Sequence, residues 1–298
     1  MHYPSLPLTY LEPLYRPPSE ADSLILQVTI GCSWNRCTFC EMYTDRHFRP
    51  RPPQEVVAEI EALGRHPVRY RRVFLADGDA LALSNRRLLP LLAAIRDRLP
   101  WTTRVSCYAS PANLLHKSTD DLAELRAAGL KLIYLGIESG ADEVLERIAK
   151  GATHEQTVQA LNRAAAAGLK RSVMIINGLG GKALSAHHAE ASAELLNATR
   201  PEYASVLALV LHGGGARYHE AFGPAWKPLG DHELLLELRQ LLAACDLERT
   251  LFRSNHASNR LALAGTLNRD RPRLLAEIDT VLSGHATPAL RPNYPRRL

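Results

Sequence analysis

The feature that most restricts the fold is an alternation that starts at Leu24, in which a short apolar run, a loop and a longer segment with helically spaced apolar residues recur six times. Such alternation marks βα units, whose parallel strands need a crossover helix and wind right-handed. The strands expected are Leu24 to Thr29, Arg72 to Ala76, Thr103 to Tyr108, Leu132 to Ile137, Arg171 to Ile176 and Ala204 to Leu211. Pro53 opens the first helix and Gly64 closes it, with Val56, Val57, Ile60 and Leu63 on one face. Ser118 with Asp121, and Thr153 with Gln156, are capping boxes that open two more. An α/β fold follows, either an open barrel or a doubly wound sheet.

Outside the repeat the pattern changes. Residues 1–22 carry Pro4, Pro7, Pro13, Pro17 and Pro18 and read as an extended lead-in, with its Tyr and Leu residues packed along the surface. Residues 23–246 form the core. Residues 247–298 form a C-terminal extension over the substrate side: an irregular stretch holding Ser254 to Asn259, a helix with Leu274, Leu275, Ile278, Val281 and Leu282, and a basic tail from Arg291. A chain of 298 residues, 46% of them hydrophobic, suffices for one large core.

In parallel α/β folds the loops that leave the carboxyl ends of the strands build the site. In chain order those loops contain Cys32, Cys37 and Cys40; Asp77-Gly78-Asp79; Tyr108 and Ser110; Glu138 and Ser139; Asn177 to Gly181; and His212 to Gly215. All are expected to face one mouth. Leu135-Gly-Ile-Glu138 carries a buried strand straight into a carboxylate, and a charge in such a place needs a partner. Asp77-Gly78-Asp79 reads either as a solvated turn or as a carboxylate that holds an ammonium group, with Gly78 admitting a ligand to the backbone. The glycines at 180 and 181, and at 213 to 215, are tight turns or ligand loops.

Three of the five cysteines fall within nine positions, Cys32 to Cys40. Three thiolates in one loop suit an iron-sulfur cluster, and three rather than four leave one iron of a four-iron cluster open. Two other readings stand beside this one: three buried small hydrophobes, or a zinc site with His47 as fourth ligand. Cys107 and Cys245 lie alone and read as core.

Composition narrows the setting. Five cysteines form no disulfide framework and point to a reducing compartment. The start, Met1 to Leu8, lacks the pattern of a signal peptide, and no apolar run approaches the roughly 18 residues of a span, so a cytoplasmic protein with no membrane partner is expected. A net charge of +5 permits an anionic substrate or nucleic acid without requiring either.

Together these residues resemble the radical S-adenosylmethionine (radical SAM) superfamily over about Leu24 to Leu211. Cys32, Cys37 and Cys40 look like its cluster ligands, with Phe39 as the aromatic before the last cysteine; four and then two residues between them mark a variant spacing. Asp77-Gly78-Asp79 stands where the family has Gly-Gly-Glu, which holds the methionyl amino group. Gly136-Ile-Glu138-Ser-Gly140, followed by Asp142, Leu145, Ile148 and Lys150, is similar to the fourth-strand signature of oxygen-independent coproporphyrinogen oxidases and methylthiotransferases. Asn177-Gly-Leu-Gly180 resembles the fifth-strand turn beside the adenine.

The resemblance implies a partial (βα)6 TIM-like barrel with a [4Fe-4S] cluster on Cys32, Cys37 and Cys40. S-adenosylmethionine would be bound along Asp77, Gly78, Asp79, Ser110, Glu138, Lys150 and Asn177, with Glu138 at its ribose or methionyl part and Lys150 at its carboxylate. Reductive cleavage to a 5′-deoxyadenosyl radical, with the electron from a flavodoxin or ferredoxin, and hydrogen abstraction from a small-molecule substrate are the chemistry implied. Residues 212–260 would face that substrate, with His212 and His256 as catalytic candidates and Arg217, Tyr218, His219, Arg253, Asn255, Asn259 and Arg260 beside them. Radical modification of RNA or of a protein side chain is the alternative, suggested by the basic balance and by Arg296-Arg297. A further alternative is a cluster or zinc protein that binds a partner and catalyses nothing.

Overall fold

The computed structural model describes residues 5–284 and 290–291, so the basic tail with Arg296 and Arg297 lies outside the described residues. It is an α/β fold in two compact units. The first comprises the chain up to Asn35, Met42–Leu135 and Arg163–Lys170; the second comprises Arg36–Glu41, Gly136–Asn162 and the chain from Arg171 onward.

In the first unit the chain forms β1 (Leu24–Gln27), β2 (Thr29–Ile30), β3 (Arg49–Pro50), α1 (Pro53–Arg65), β4 (Arg72–Ala76), α2 (Asn85–Arg98), β5 (Arg104–Tyr108), α3 (Pro111–Leu115) and α4 (Thr119–Ala127). The strand β6 (Leu130–Glu138) starts there and ends in the second unit. β1, β4, β5 and β6 run parallel, with Leu24 opposite Val73, Val73 opposite Val105 and Cys107 opposite Ile133. The strands are buried almost without interruption, as parallel strands covered on both faces must be. Phe74, Tyr108 and Tyr134 meet edge to face with ring centroids 5.1 to 6.3 Å apart. β2 and β3 pair antiparallel as the two ends of the segment that carries the cysteines.

The described lead-in is extended up to Pro17, with the Tyr10 hydroxyl donating to the Ile25 carbonyl at 2.8 Å and Tyr15 edge to face with Tyr43. Pro18–Glu20 is a short 3-10 turn, Leu11 is exposed, and the group that this segment buries most deeply is a carboxylate. Glu20 is fully buried and accepts hydrogen bonds from Arg104 at 2.7 Å, the Tyr134 hydroxyl at 2.6 Å and the Ser106 hydroxyl at 3.0 Å. Two hydroxyls and a guanidinium satisfy a charge that could not otherwise stay in a core.

The second unit holds α5 (Asp142–Arg147), the start of α6 (His154–Ala166), nearly all of β7 (Lys170–Asn177), α7 (Gly181–Thr199), β8 (Tyr203–Ala208), α8 (Ala216–Phe222), α9 (Asp231–Ala244), β9 (Leu251–Arg253), β10 (Ala264–Thr266) and α10 (Arg271–Leu282). β7, β8 and β9 run parallel, and β10 is antiparallel to β9. The stretch after Glu248, expected to be irregular, therefore adds two strands. Each is three residues long, too short to show a period in sequence.

The sixth strand also ends at Ala208, short of the expected Leu211. Its pairing with β9 stops at Ser205 opposite Arg253. Beyond that point side chains stand in for the ladder: Asn259 Nδ2 donates to the Val206 carbonyl at 2.7 Å, and the Ala208 N–H donates to Ser258 Oγ at 3.0 Å. Asn259 also donates to the Ser254 carbonyl at 3.0 Å. Asn259→Ala, which leaves buried acceptors unmet, is expected to destabilise the protein by about 1–3 kcal/mol in urea unfolding. A midpoint and slope equal to wild type would count against this role.

Candidate functional site

In the first unit the two aspartates after β4 take different parts. Asp77 is fully buried and turns toward the segment that leads into Cys32: Oδ2 accepts the Gly31 N–H at 3.3 Å, and its own N–H donates to Thr29 Oγ1 at 3.2 Å. Arg46 Nη1 stands 3.9 Å from the same oxygen. Burial raises the Asp77 pKa, against the pull of Tyr43, Gly31 and Arg46. The Tyr43 hydroxyl beside this carboxylate is pushed far above its ordinary range by burial and by the neighbouring charge.

Gly78 is fixed by the same tyrosine, because a side-chain carbon there would stand 2.6 Å from Tyr43 Cε2. Asp79 Oδ2 accepts from the Ser33 hydroxyl and, at 3.5 Å, from Asn113 Nδ2. Ser110 caps α3, its Oγ accepting the Asn113 N–H at 3.2 Å, while Asn113 Oδ1 accepts the Ser110 N–H at 2.9 Å. Asp79, Asn113 and Ser110 thus form one linked set behind the start of the cysteine loop. Tyr43 and Asn113 escaped sequence reasoning; Asn113 three residues after Ser110 was a legible capping box.

In the second unit the centre is Glu138. It has φ +62° at the end of β6, a left-handed conformation that a non-glycine residue adopts only under constraint. Its Oε1 accepts from Lys150 Nζ at 2.9 Å, with the two side chains 11% and 14% exposed. Gly136 makes room for this, since a side-chain carbon there would come within 1.9 Å of Glu138 Oε1. The motif Gly-Ile-Glu is therefore a device that folds a carboxylate back over its own strand. Asn177, also buried, donates from Nδ2 to the Leu234 carbonyl at 2.8 Å.

The later half of the cysteine loop is held by the same unit. Thr38 N–H donates to the Ile148 carbonyl at 2.9 Å, and Arg217 Nη2 donates to the Cys40 carbonyl at 2.6 Å. Phe39 packs against a core of Val144, Leu145, Ile148, Leu179, Tyr218 and Phe222, which explains an aromatic at that position.

Several residues expected on the substrate side have structural partners. Tyr218 is fully buried and stacks on Phe222 at 4.5 Å; Arg260 pairs with Asp231 at 2.6 Å; Arg253 donates to the Phe252 carbonyl at 2.8 Å. His256 is half-buried with Nδ1 bonded to Ser258 at 2.9 Å, and burial lowers its pKa. His212, His219 and Asn255 are exposed.

Cys32 belongs to the first unit and Cys37 and Cys40 to the second; all three are half-buried and none is in a disulfide. Cys107 and Cys245 are buried, and burial pushes the Cys245 thiol up to about 12 and that of Cys107 higher still, so neither offers a ready thiolate. The three loop thiols are thus the donors whose chemistry fits an iron-sulfur cluster. Among the described residues no three or more His, Cys, Asp or Glu are gathered in a group that could hold a metal ion, and no helix is long and apolar enough to cross a membrane.

Residues 26–196 match the Radical SAM superfamily, whose cofactors are a [4Fe-4S] cluster and S-adenosylmethionine. The 4′-phospho-dehydrooxetanocin synthase of Priestia megaterium is 25% identical over 171 residues, 52% of this chain and 23% of the relative. The tRNA-2-methylthio-N(6)-dimethylallyladenosine synthase of Hahella chejuensis is 30% identical over 164 residues, 49% of this chain and 34% of the relative. The chain thus spans about a quarter to a third of the length of the curated relatives it matches. Among solved structures, coproporphyrinogen III oxidase from Escherichia coli, a radical SAM enzyme, aligns with a TM-score of 0.57 at 18% identity over 74% of this chain and 51% of its own, a likeness that shows the fold. With more than half of its 298 residues matched to the family and the βα fold that family shares, this chain belongs to the radical SAM superfamily of enzymes.

Proposed function

We propose that this enzyme holds its cluster on Cys32, Cys37 and Cys40, binds S-adenosylmethionine along Asp77, Gly78, Asp79, Ser110, Glu138, Lys150 and Asn177, and acts on a small-molecule substrate. The observation that carries the reading is the Glu138–Lys150 pair: a carboxylate and an ammonium 2.9 Å apart, mostly buried at a strand's carboxyl end and kept there by a left-handed backbone. Strain of that kind, roughly 1 kcal/mol or more, persists where surrounding structure imposes it, and it concentrates at functional sites.

When bound, the cluster and S-adenosylmethionine supply one-electron cleavage of a carbon-sulfur bond and a carbon radical that takes hydrogen from substrate. The protein's own residues orient and enclose. Lys150 offers donors to a carboxylate, and Glu138 offers acceptors to hydroxyl or amino groups. Asp79 keeps Ser33 and Asn113 in place beside the cysteine loop, and Asp77 fixes the Gly31 backbone that leads into it. A flavodoxin- or ferredoxin-type donor supplies the electron.

The test is anaerobic reconstitution with iron and sulfide, followed by reduction in the presence of S-adenosylmethionine. Formation of 5′-deoxyadenosine supports the reading. A protein that loads iron, binds S-adenosylmethionine and never cleaves it on reduction would overturn it.

A further inference from the structure

Beneath the two turns assigned above to S-adenosylmethionine lies a buried polar chain that the proposed function does not use. Glu237, on α9, is 1% exposed, and its Oε1 accepts the Gly178 N–H at 2.5 Å, immediately after Asn177. The same oxygen stands 3.7 Å from Nε2 of His188, a fully buried residue of α7. On its other side His188 Nδ1 bonds Ser139 Oγ at 2.8 Å, and Ser139 Oγ accepts the Ala141 N–H at 3.0 Å. Ser139 directly follows Glu138. One end of the chain is therefore fastened to the turn after β7 and the other to the turn after β6.

Nothing in ordinary core packing calls for a carboxylate and an imidazole here. Both lie among apolar neighbours on their helices, Glu237 between Leu235 and Leu238 and His188 before Ala189 and Ala191, at positions where leucine or alanine would fill space without a polar cost. Glu237 takes up the Gly178 N–H on one side, and His188, 3.7 Å away and beyond hydrogen-bond length, holds Ser139 on the other. Gly178, at φ +84°, has its N–H aimed at Glu237 and leaves no room for a side chain, which would meet Leu234 Cδ2 at 2.8 Å.

We propose that Glu237 is a positioning residue for S-adenosylmethionine, setting the Asn177–Gly178 turn directly through its hydrogen bond to the Gly178 N–H. This rests on the cofactor assignment made above. Burial pushes the Glu237 carboxyl up to about 7 and the His188 imidazole down to about 4, so both groups are neutral between those values. The groups that face Glu237 are Ser185 and His188 from α7, Tyr218 from α8 and the Gly178 N–H; His187 adds charge only toward His188. With no cation among them, burial outweighs the Ser185 and Gly178 donors, and ionised Glu237 is expected to draw in water and loosen its hold on Gly178.

The experiment measures binding of S-adenosylmethionine to the reconstituted protein by equilibrium dialysis from about pH 6 to about pH 8, spanning the Glu237 pKa. Wild-type affinity is expected to weaken as pH rises through about 7, the Glu237 value. Glu237→Gln, which keeps an oxygen for Gly178 and an amide for His188, is expected to bind like the low-pH wild type with a flat profile. Glu237→Ala is expected to bind about tenfold more weakly at every pH, as when a buried donor loses its acceptor. Thermal unfolding of each variant separates a folding failure from a binding one, and Glu237→Gln preserves the shape should Glu237→Ala not fold. Wild-type binding with an unaltered profile in Glu237→Gln would overturn this inference alone. No binding by the cluster-loaded wild type would overturn the cofactor assignment and this inference with it.

Discussion

Cys37→Ala, reconstituted anaerobically with iron and sulfide, is expected to hold no stable cluster: bound iron and the brown absorbance fall to background, and reductive cleavage of S-adenosylmethionine stops. The effect is large because a cluster with one iron already open has two protein ligands left after the change. The fold is expected to survive, since Cys37 is half-buried in a loop whose neighbours are held independently, Thr38 by the Ile148 carbonyl, Phe39 by the apolar core and Cys40 by Arg217. Cys245→Ala is the control. It removes a buried thiol that burial keeps protonated, and iron content should match wild type. Cys37→Ala that kept both iron and cleavage would show that the cluster lies elsewhere.

The second large effect is at Glu138. Glu138→Ala is expected to weaken S-adenosylmethionine binding by about 10- to 100-fold, the range for hydrogen bonds to a charged group. It also strands the Lys150 ammonium, whose Nζ stands 2.9 Å from the lost oxygen. Glu138→Gly separates the two consequences. Glycine accepts φ +62° without penalty and recovers roughly 1 kcal/mol of backbone strain, offsetting part of the lost ion pair. The glycine variant should therefore melt nearer wild type than the alanine variant while binding the cofactor as poorly. Equal cofactor affinity in wild type and both variants, measured by dialysis, would remove Glu138 from the site.

The architecture was legible wherever local chemistry and long-range packing asked for the same residues. β4 occupies Arg72–Ala76 as its apolar run indicates, and Ser118 and Asp121 cap α4 through reciprocal bonds of 3.0 and 2.9 Å. β9 and β10 were not legible, because three residues carry no period and their pairing comes from β8. The polar residues of the extension show a different limit. Asn259 was read as a candidate to meet substrate, and together with Ser258 it completes the backbone hydrogen bonding of β8. A buried amide looks the same in sequence whether its partner is a ligand or a carbonyl. The two aspartates after β4 pose the same problem: side-chain type could not say that Asp77 turns toward Gly31 and Asp79 toward Ser33. Glu237 did leave a trace, one charge among the buried leucines 235, 238, 241 and 242 of α9.

The buried pair of Glu237 and His188 also has a consequence for folding. In an unfolded chain near pH 5.5 a glutamate with its ordinary value of 4.5 has lost its proton, and a histidine with its ordinary value of 6.5 has kept one. In the folded protein the positions are reversed, with the proton on Glu237 up to about 7 and absent from His188 down to about 4. Folding therefore moves one proton from base to acid and turns an ion pair into a neutral pair, with no net uptake between about 4.5 and 6.5. Above that window only Glu237 still binds more protons than the unfolded chain, so this pair's contribution to stability falls as pH rises toward about 7. Urea unfolding of wild type and Glu237→Gln should diverge between about 4.5 and 7, because wild type stays level to about 6.5 while the variant, with His188 alone titrating, gains stability as pH rises; curves that stayed parallel throughout would mean that Glu237 keeps its ordinary value in the folded protein. The pair's contribution to stability is therefore a plateau between about 4.5 and 6.5 that falls away on both sides, on the acid side through His188 and toward neutrality through Glu237.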